Sequence, residues 1–139
     1  MIEIQRYTEE LDGLKMGQGF FEGWPNPPNE QIHRKILKGS YLSLVAVDTD
    51  KRCIVGFVNA ISDGVLSAYI PLLEVLPAYR KQGIGALLVK RVLDELSHIY
   101  MVDLCCDQEL QDYYARLGMV KSHGMILRNY QAQGGHHGE

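Results

Sequence analysis

The stretch PAYRKQGIGALLVKRVLDEL, residues 77–96, decides the fold, because in it a glycine-containing loop runs directly into an amphipathic helix. From Ile84 onward, apolar residues recur at helical spacing and charged residues fall between them, which predicts a helix with one buried face. Gly83 and Gly85 stand at the beginning of this helix, although glycine is a poor helix former. Helix propensity therefore does not explain their position.

Anion binding does explain it. The first N–H groups of a helix are unpaired, and the helix dipole places partial positive charge at that end. Glycine permits a tight turn and lets a phosphate approach the backbone without meeting a Cβ. Arg80 and Lys81 add positive charge beside the loop. The stretch therefore predicts a phosphate-binding loop, and the alternative for Gly83 and Gly85 is a tight strand-to-helix turn with no ligand.

Two nucleotide-binding patterns are excluded by the residues around these glycines. A P-loop ends in Gly-Lys-Ser/Thr, whereas Ala86 follows Gly85 here. A dinucleotide-binding fingerprint needs a small residue where this sequence has leucine, and the stretch also lies late in the chain. The phosphates must therefore belong to another kind of ligand.

Composition and charge describe one ordinary globular domain. The chain has 139 residues, of which 46% are hydrophobic and 22% are charged. A net charge of -3 gives no electrostatic reason to expect nucleic acid or a membrane surface as a partner. The three cysteines are odd in number and form no CxxC pair, so we expect reduced thiols and no metal site. The amino terminus lacks the features of a signal peptide, and a cytoplasmic location is expected.

The hydrophobic periodicity predicts a mixed α/β fold with the element order β-α-α-β-β-β-α-β-α-β over residues 1–130, followed by a flexible tail over residues 131–139. A first short helix should begin near Thr8, Asn29 should cap a second helix, and residues 119–130 should form a last strand or a hairpin. His33 is expected on the polar face of the second helix. The unit from Val65 to Cys106 should be a right-handed parallel crossover, and Pro71 predicts a bulge or an interruption of the strand pairing.

Two blocks resemble the GNAT family of N-acetyltransferases. VLPAYRKQGIGALLVKRVLDEL, residues 75–96, looks like the family's acyl-CoA motif R/Q-x-x-G-x-G/A, with the match running through Arg80, Gly83 and Gly85. DQELQDYYARLGMV, residues 107–120, resembles the family's second block N-x-x-A-x-x-F-Y-x-x-L-G-F, with Tyr113 and Tyr114 at the Phe-Tyr place. The two blocks are separated as the intervening helix and strand require, which makes their combination specific.

The second block departs from the family pattern at two places. Asp107 stands where the family often has Asn, and Leu110 where it often has Ala. A carboxylate is less suited than an amide to a position near an anionic cofactor, so no direct contact of Asp107 with CoA is predicted.

The resemblance implies a GNAT-like mixed sheet flanked by helices, and transfer of the acetyl group of acetyl-CoA to a primary amine by direct attack in a ternary complex. It implies that acetyl-CoA is held by the backbone at the end of one strand and by the loop that follows. The residues carried over for this role are Leu73, Val75, Arg80, Lys81, Gln82, Gly83, Ile84, Gly85 and Ala86. No metal is implied.

The same resemblance implies two catalytic residues. Tyr114 is the implied acid that protonates the departing thiolate, because a phenol stays protonated at neutral pH and can hydrogen-bond a sulfur. The alternative for Tyr114 is a packing aromatic. Glu74 is the candidate base for the amine, with Asp63, Glu22 and a water chain as rivals.

The acceptor is expected to be a small amine, because FFEGWPNPPN, residues 20–29, is an aromatic, proline-stiffened loop that suits the wall of a closed pocket. The alternative for this loop is that its rings only pin it to the core. A protein acceptor, through lysine or an N-terminus, and a non-catalytic acyl-CoA sensor are the alternative functions. A homodimer is left open.

Overall fold

The computed structural model describes residues 1–135, which form one mixed sheet with helices on both faces. The strands are β1 (Ile2–Arg6), β2 (Lys15–Met16), β3 (Leu42–Asp48), β4 (Cys53–Ser62), β5 (Ser67–Val75) and β6 (Met101–Asp103). The helices are α1 (Glu30–Gly39), α2 (Ile84–Glu95) and α3 (Gln111–Arg116). The predicted α/β fold class is confirmed.

The main path through the sheet is β1-β3-β4-β5-β6, and β2 pairs in parallel with the beginning of β4. β3 and β4 form the predicted antiparallel hairpin. β5 and β6 are parallel and are joined through α2, as the crossover prediction required. The asparagine cap is also confirmed, because the Asn29 side chain accepts a hydrogen bond from the Ile32 N–H at 2.8 Å.

The core has two layers, one on each face of the sheet. β3 is buried along its whole length, and its residues alternate between the layers: Leu44 and Ala46 face α2, whereas Val45 and Val47 face the other side. The α2 layer contains Leu88 and Val92 of the predicted helical stripe, both fully buried. The second layer lies on the side of α1 and takes in the aromatic loop, residues 20–29.

Two predicted elements are wrong. Instead of a first α-helix, residues Glu9–Gly13 form a short 3-10 helix, which buries none of its residues and receives no side-chain cap from Thr8. Instead of a last strand, residues 119–129 have no regular secondary structure. The apolar pattern of this segment is real, but a strand forms only where another strand supplies its hydrogen bonds. The two-residue strand β2 is too short to leave a periodic signal and was not predicted.

Part of the predicted tail contacts the rest of the chain. The Gln133 side chain accepts a hydrogen bond from the Asn26 N–H at 2.8 Å, next to the start of α1. The remaining tail residues, 136–139, lie outside the described residues. Within the described part, none of the helices combines the length and apolarity that a membrane-spanning helix requires.

Candidate active site

The loop before α2 has the backbone geometry that the two glycines predicted. Gly83 is the N-cap of α2 with a left-handed φ of 82°, and no side chain caps the helix. Lys81 is also left-handed, with φ 65°, a conformation that costs a non-glycine residue on the order of 1 kcal/mol. A Cβ placed on Gly83 would meet no protein atom within 4 Å. The space beside Gly83 is therefore open, and the first N–H groups of α2, which a helix leaves unpaired, follow directly in the chain.

The loop is anchored to the sheet by its own side chains. The Tyr79 hydroxyl donates a 2.6 Å hydrogen bond to the Asp48 carboxylate at the end of β3. Arg80 Nε donates to the backbone carbonyl of Val75 at 3.0 Å. The end of β5 and the loop before α2 are thus held together as one unit.

The second half of β5 has an unpaired edge. β5 pairs with β6 only over residues 67–69, so no strand within residues 1–135 pairs with residues 70–75 on that side. The Leu76 N–H donates a hydrogen bond to the backbone carbonyl of Val55 on β4 at 2.9 Å, so the N–H of Leu76 points toward β4. This determines to which edge each preceding N–H of β5 points. Since neighbouring N–H groups of a strand point to opposite edges, those of Leu73 and Val75 point to the unpaired edge.

The predicted bulge at Pro71 produces this arrangement. The register of β4 against β5 shifts between Asn59 and Ile61, opposite residues 69–72. At the other end of the strand, Leu66 uses its carbonyl to pair with Met101 and not with β4. Without the shift, the backbone N–H and C=O groups of the even-numbered residues would point to the open edge along all of β5. After the bulge, those of the odd-numbered residues, among them Leu73 and Val75, point there instead. The bulge also accommodates Pro71, which has no N–H to donate.

Glu74 lies on the opposite face from its two neighbours. Leu73 and Val75 pack against the α2 layer, whereas Glu74 lies opposite Phe57 of the second layer. The Glu74 carboxylate is half-buried and accepts a 2.6 Å hydrogen bond from the Phe21 N–H. Burial raises the pKa of Glu74 above its ordinary value, although the hydrogen bond from Phe21 opposes the shift. A carboxylate with a raised pKa is better matched to proton abstraction near neutral pH.

The aromatic loop reaches Glu74 because β2 leads the chain past the end of β5. Gly17, directly after β2, donates its N–H to Ile54 of β4 at 3.0 Å. Phe21 then adopts a left-handed φ of 62°, and in this conformation its N–H is directed at the carboxylate of Glu74. Such strain in a non-glycine residue is concentrated at functional sites in proteins.

The rings of the loop surround His33 of α1. The ring centroid of His33 lies 5.1 Å from that of Phe20, 5.0 Å from that of Phe21 and 4.4 Å from that of Phe57. His33 is only 2% exposed, so its predicted place on the polar face of the helix is wrong. Burial, with a smaller effect of Arg34, lowers the pKa of His33 to about 4. The rings do pin the loop to the core, and in doing so they position the backbone that binds Glu74.

Asp63 and Glu22, the two alternative candidates for the base, have different interaction partners. Asp63 accepts hydrogen bonds from the N–H groups of Val65, Leu66 and Ser67, which lower its pKa and make it a weak base. Glu22 forms a 3.2 Å ion pair with Arg80 and so joins the aromatic loop to the loop before α2.

Tyr114 of α3 is nearly buried, with 8% of its surface exposed. Burial raises its pKa, which keeps the phenol protonated. Its ring packs against that of Tyr113, with the ring centroids 5.3 Å apart, and it lines a groove together with Val102 of β6 and Leu104 directly after that strand. Tyr113 differs, because its hydroxyl is buried with no hydrogen-bond partner among the described residues.

The predicted site residues fall into two groups in the structure. Leu73, Val75 and the loop from Arg80 to Ala86 form one continuous unit. Glu74 belongs with the aromatic loop on the other face of the sheet. Phe21 belongs to the stretch that the sequence predicts as a pocket wall, but its hydrogen bond to Glu74 was not predicted. His33 was not predicted as part of the site, and no spacing or motif in the sequence singles it out. No group of three or more potential metal-ligating side chains occurs in residues 1–135.

Comparison with known proteins places this architecture in a family. The model of the acetyltransferase (GNAT) family matches residues 9–119, most of the chain. A solved structure from Deinococcus radiodurans R1, provisionally named an acetyltransferase, is 43% identical with a TM-score of 0.83 and covers 96% of this chain and 92% of its own. The glucosamine-6-phosphate N-acetyltransferase of Arabidopsis thaliana, at 16% identity and a TM-score of 0.69 over 92% of this chain and 97% of its own, shows the fold alone.

A curated relative, the uncharacterized N-acetyltransferase ycf52 of Gracilaria tenuistipitata var. liui, is 26% identical over 102 residues, or 70% of this chain and 56% of its own length. A second curated relative is matched over 43% of its length, so the chain spans about half the length of the curated relatives it matches. The family match covers the unpaired edge of β5, the first sequence block and all but the last residue of the second block. The chain therefore belongs to the acetyltransferase (GNAT) family of acyltransferase enzymes.

Proposed function

We propose that the protein transfers the acetyl group of acetyl-CoA to a primary amine of a small molecule, by direct attack in a ternary complex. The observation that carries this proposal is the continuity of the unpaired edge of β5 with the phosphate-binding loop. An extended ligand arm ending in a pyrophosphate fits such a surface, because the strand edge offers amides to the arm and the helix start offers amides to the phosphates.

The donor is held mainly by backbone groups in this proposal. The amides from Gln82 to Ala86 bind the pyrophosphate, with Lys81 adding charge. The N–H groups of Leu73 and Val75 face the arm, and one of them polarises the thioester carbonyl as an oxyanion hole does. Arg80 acts indirectly, since its guanidinium already bridges the Val75 carbonyl and Glu22.

The chemical step then needs an acid and a base. The amine nitrogen attacks the thioester carbonyl carbon, and the C–S bond breaks as the C–N bond forms. Tyr114 gives its proton to the departing thiolate, and Glu74 accepts the proton that the amine loses, directly or through water. Burial raises the pKa of both groups. The raised pKa keeps the Tyr114 phenol protonated until the thiolate leaves, and it makes the Glu74 carboxylate a stronger base for the amine proton.

The aromatic loop supports a small, positively charged acceptor. Glu74 and Glu22 supply negative charge beside the rings of Phe21 and Trp24, which lie 4.9 Å apart. An ammonium group is attracted both to carboxylates and to aromatic faces. The Phe21 ring packs against His33 and the Trp24 ring against Phe21, which makes the loop a wall and not an open groove and so favours a small molecule over a protein chain.

The test combines binding with turnover. Calorimetric titration with acetyl-CoA compares the wild type with Gly83→Asp and Gly83→Ala, and thiol release is then followed over a panel of amines and peptides. Both variants strain the left-handed backbone, but only aspartate places a negative charge in the phosphate site. We expect alanine to weaken binding and aspartate to abolish it. Equal binding by both variants would contradict the phosphate site, and binding without thiol release on any acceptor would favour a sensor.

A further inference from the structure

The end of the described chain packs against the aromatic loop. We call residues 128–135 the C-terminal strap; after a short 3-10 helix, they contact both the loop and α1. The Gln133 side chain accepts its hydrogen bond from the N–H of Asn26 in the loop. Gly135, with a left-handed φ of 83°, lies so close to α1 that a Cβ on it would come within 2.6 Å of the Ile32 side chain. The strap is therefore fixed at its end, which keeps its first residues beside the loop.

A cavity of about 350 Å³ lies between the strap and the loop. Trp24 lines it on the side of the loop, and Arg128, Asn129, Tyr130 and Gln133 line it on the side of the strap. Two aromatic rings, two side-chain amides and one guanidinium thus share a single cavity. Arg128 is the only charged residue among those that line it.

The Arg128 guanidinium has hydrogen-bond donors to offer to a ligand. Within residues 1–135 it forms no ion pair, whereas Arg80 pairs with Glu22. Its one hydrogen bond to the described part of the chain goes to the backbone carbonyl of Leu127, directly before it, and is 3.5 Å long. A guanidinium carries five N–H donors in a planar fork that matches the two oxygens of a carboxylate.

This cavity adjoins the proposed acceptor site. Phe21, whose N–H binds the Glu74 carboxylate, has its ring centroid 4.9 Å from that of Trp24 in the cavity wall. A path from Glu74 to Arg128 therefore runs along the rings of Phe21 and Trp24. Arg128 also lines the groove that contains Tyr114, so it borders the side of the proposed acid as well.

We propose that the cavity beside Trp24 is a subsite for a carboxylate of the acceptor amine, and that Arg128 binds this carboxylate. The inference rests on the proposed function and narrows its acceptor to amino acids and related amines that carry a carboxylate. Glu74 and Glu22 attract the ammonium end of such a molecule, and Arg128 attracts the other end, so the charges are complementary along the path. One cation matches the single charge of a carboxylate better than the double charge of a phosphate.

The fluorescence of Trp24 tests the subsite without turnover, because Trp24 is the only tryptophan of the chain. In the presence of CoA, which has no acetyl group to transfer, the protein is titrated with glycine, β-alanine and γ-aminobutyrate and with the carboxamide of each. Arg128→Gln is compared with the control Arg6→Gln, which removes an arginine of β1 that pairs with Glu95 of α2.

We expect at least one of the three acids to bind about 10-fold more tightly than its carboxamide, which is the effect of a charge-assisted hydrogen bond. Arg128→Gln should remove this difference, and Arg6→Gln should keep it. Three outcomes would overturn the subsite: equal binding of each acid and its carboxamide, a difference that survives in Arg128→Gln, or no fluorescence change with any of the acids.

Thiol release from acetyl-CoA on the same amines separates the subsite from the proposed function. The acids should have the higher kcat/KM, and Arg128→Gln should reduce this preference through KM, because a contact remote from the reacting atoms binds substrate and transition state equally. A preference for phosphoethanolamine over β-alanine would overturn the carboxylate assignment. Binding of an acid without thiol release on any amine would refute the transferase proposal and leave the subsite in place. Thiol release without a preference for acids would do the reverse.

Discussion

Acid should destabilise the protein through His33, and the size of the effect follows from its burial. His33 is 2% exposed among the rings of Phe20, Phe21 and Phe57. Burial lowers its pKa from an ordinary value of 6.5 to about 4. At about 1.4 kcal/mol per pH unit, this difference amounts to about 3 kcal/mol.

The sign follows from which state binds the proton. Between about pH 6.5 and pH 4 the unfolded chain protonates His33 while the folded protein keeps it neutral, so acid favours unfolding. The free energy of unfolding should therefore fall by up to about 3 kcal/mol over this window. The loss should begin below pH 6.5 and be complete only near pH 4.

Urea denaturation at a series of pH values measures this dependence, with His33→Leu as the comparison. Carboxylates with lowered pKa values, such as Asp12 and Asp48, also destabilise the fold on protonation, but they do so equally in both proteins. The difference between the two curves therefore isolates His33. Parallel curves from pH 7 to pH 4 would refute the reasoning, because they would mean that His33 is protonated in the folded state.

Three further predictions concern catalysis. Tyr114→Phe should lower kcat about 100-fold or more with little change in the KM for acetyl-CoA, because a positioned acid typically contributes at least that much; a fall in acetyl-CoA affinity instead would make Tyr114 a packing residue. Glu74→Gln should lower kcat/KM, measured as thiol release. In the wild type the rate should rise with pH as Glu74, whose pKa is raised by burial, loses its proton, and the variant should lack this rise. If the variant keeps the same rise of rate at acidic pH, another group is the base. Glu22→Gln should free Arg80 from its 3.2 Å ion pair and tighten acetyl-CoA binding several-fold in low salt, measured by calorimetry, whereas unchanged affinity would show that Arg80 does not respond to the phosphates.

Local patterns alone predicted most of the individual elements. The helical stripe of α2, the Asn29 cap and the hairpin of β3 and β4 are set by residues close in sequence, so periodicity and capping rules suffice for them. The left-handed N-cap at Gly83 belongs to the same class, because it is a property of a few consecutive residues. The position of Tyr114 was found by resemblance, since the second block has a fixed spacing.

Contacts between distant residues decided the rest. Pro71 predicts an irregularity in β5, but only the pairing of β5 with β4 shows that a bulge turns the amides of Leu73 and Val75 to the open edge. The hydrogen bond from Phe21 to Glu74 joins residues 53 positions apart, so no local pattern contains it. The burial of His33 likewise comes from three rings on two other elements.

Residues 119–130 show most clearly which features depend on the sequence and which depend on the tertiary structure. Their apolar residues determined that this segment is suited to a strand, and that suitability is a property of the sequence by itself. Whether a strand forms depends on an edge that supplies hydrogen bonds, and only the tertiary structure shows that the segment stands apart from β6. The side-chain pattern of a segment depends only on residues that are close in sequence. Backbone pairing needs two strands, so whether it forms depends on how the tertiary structure places them.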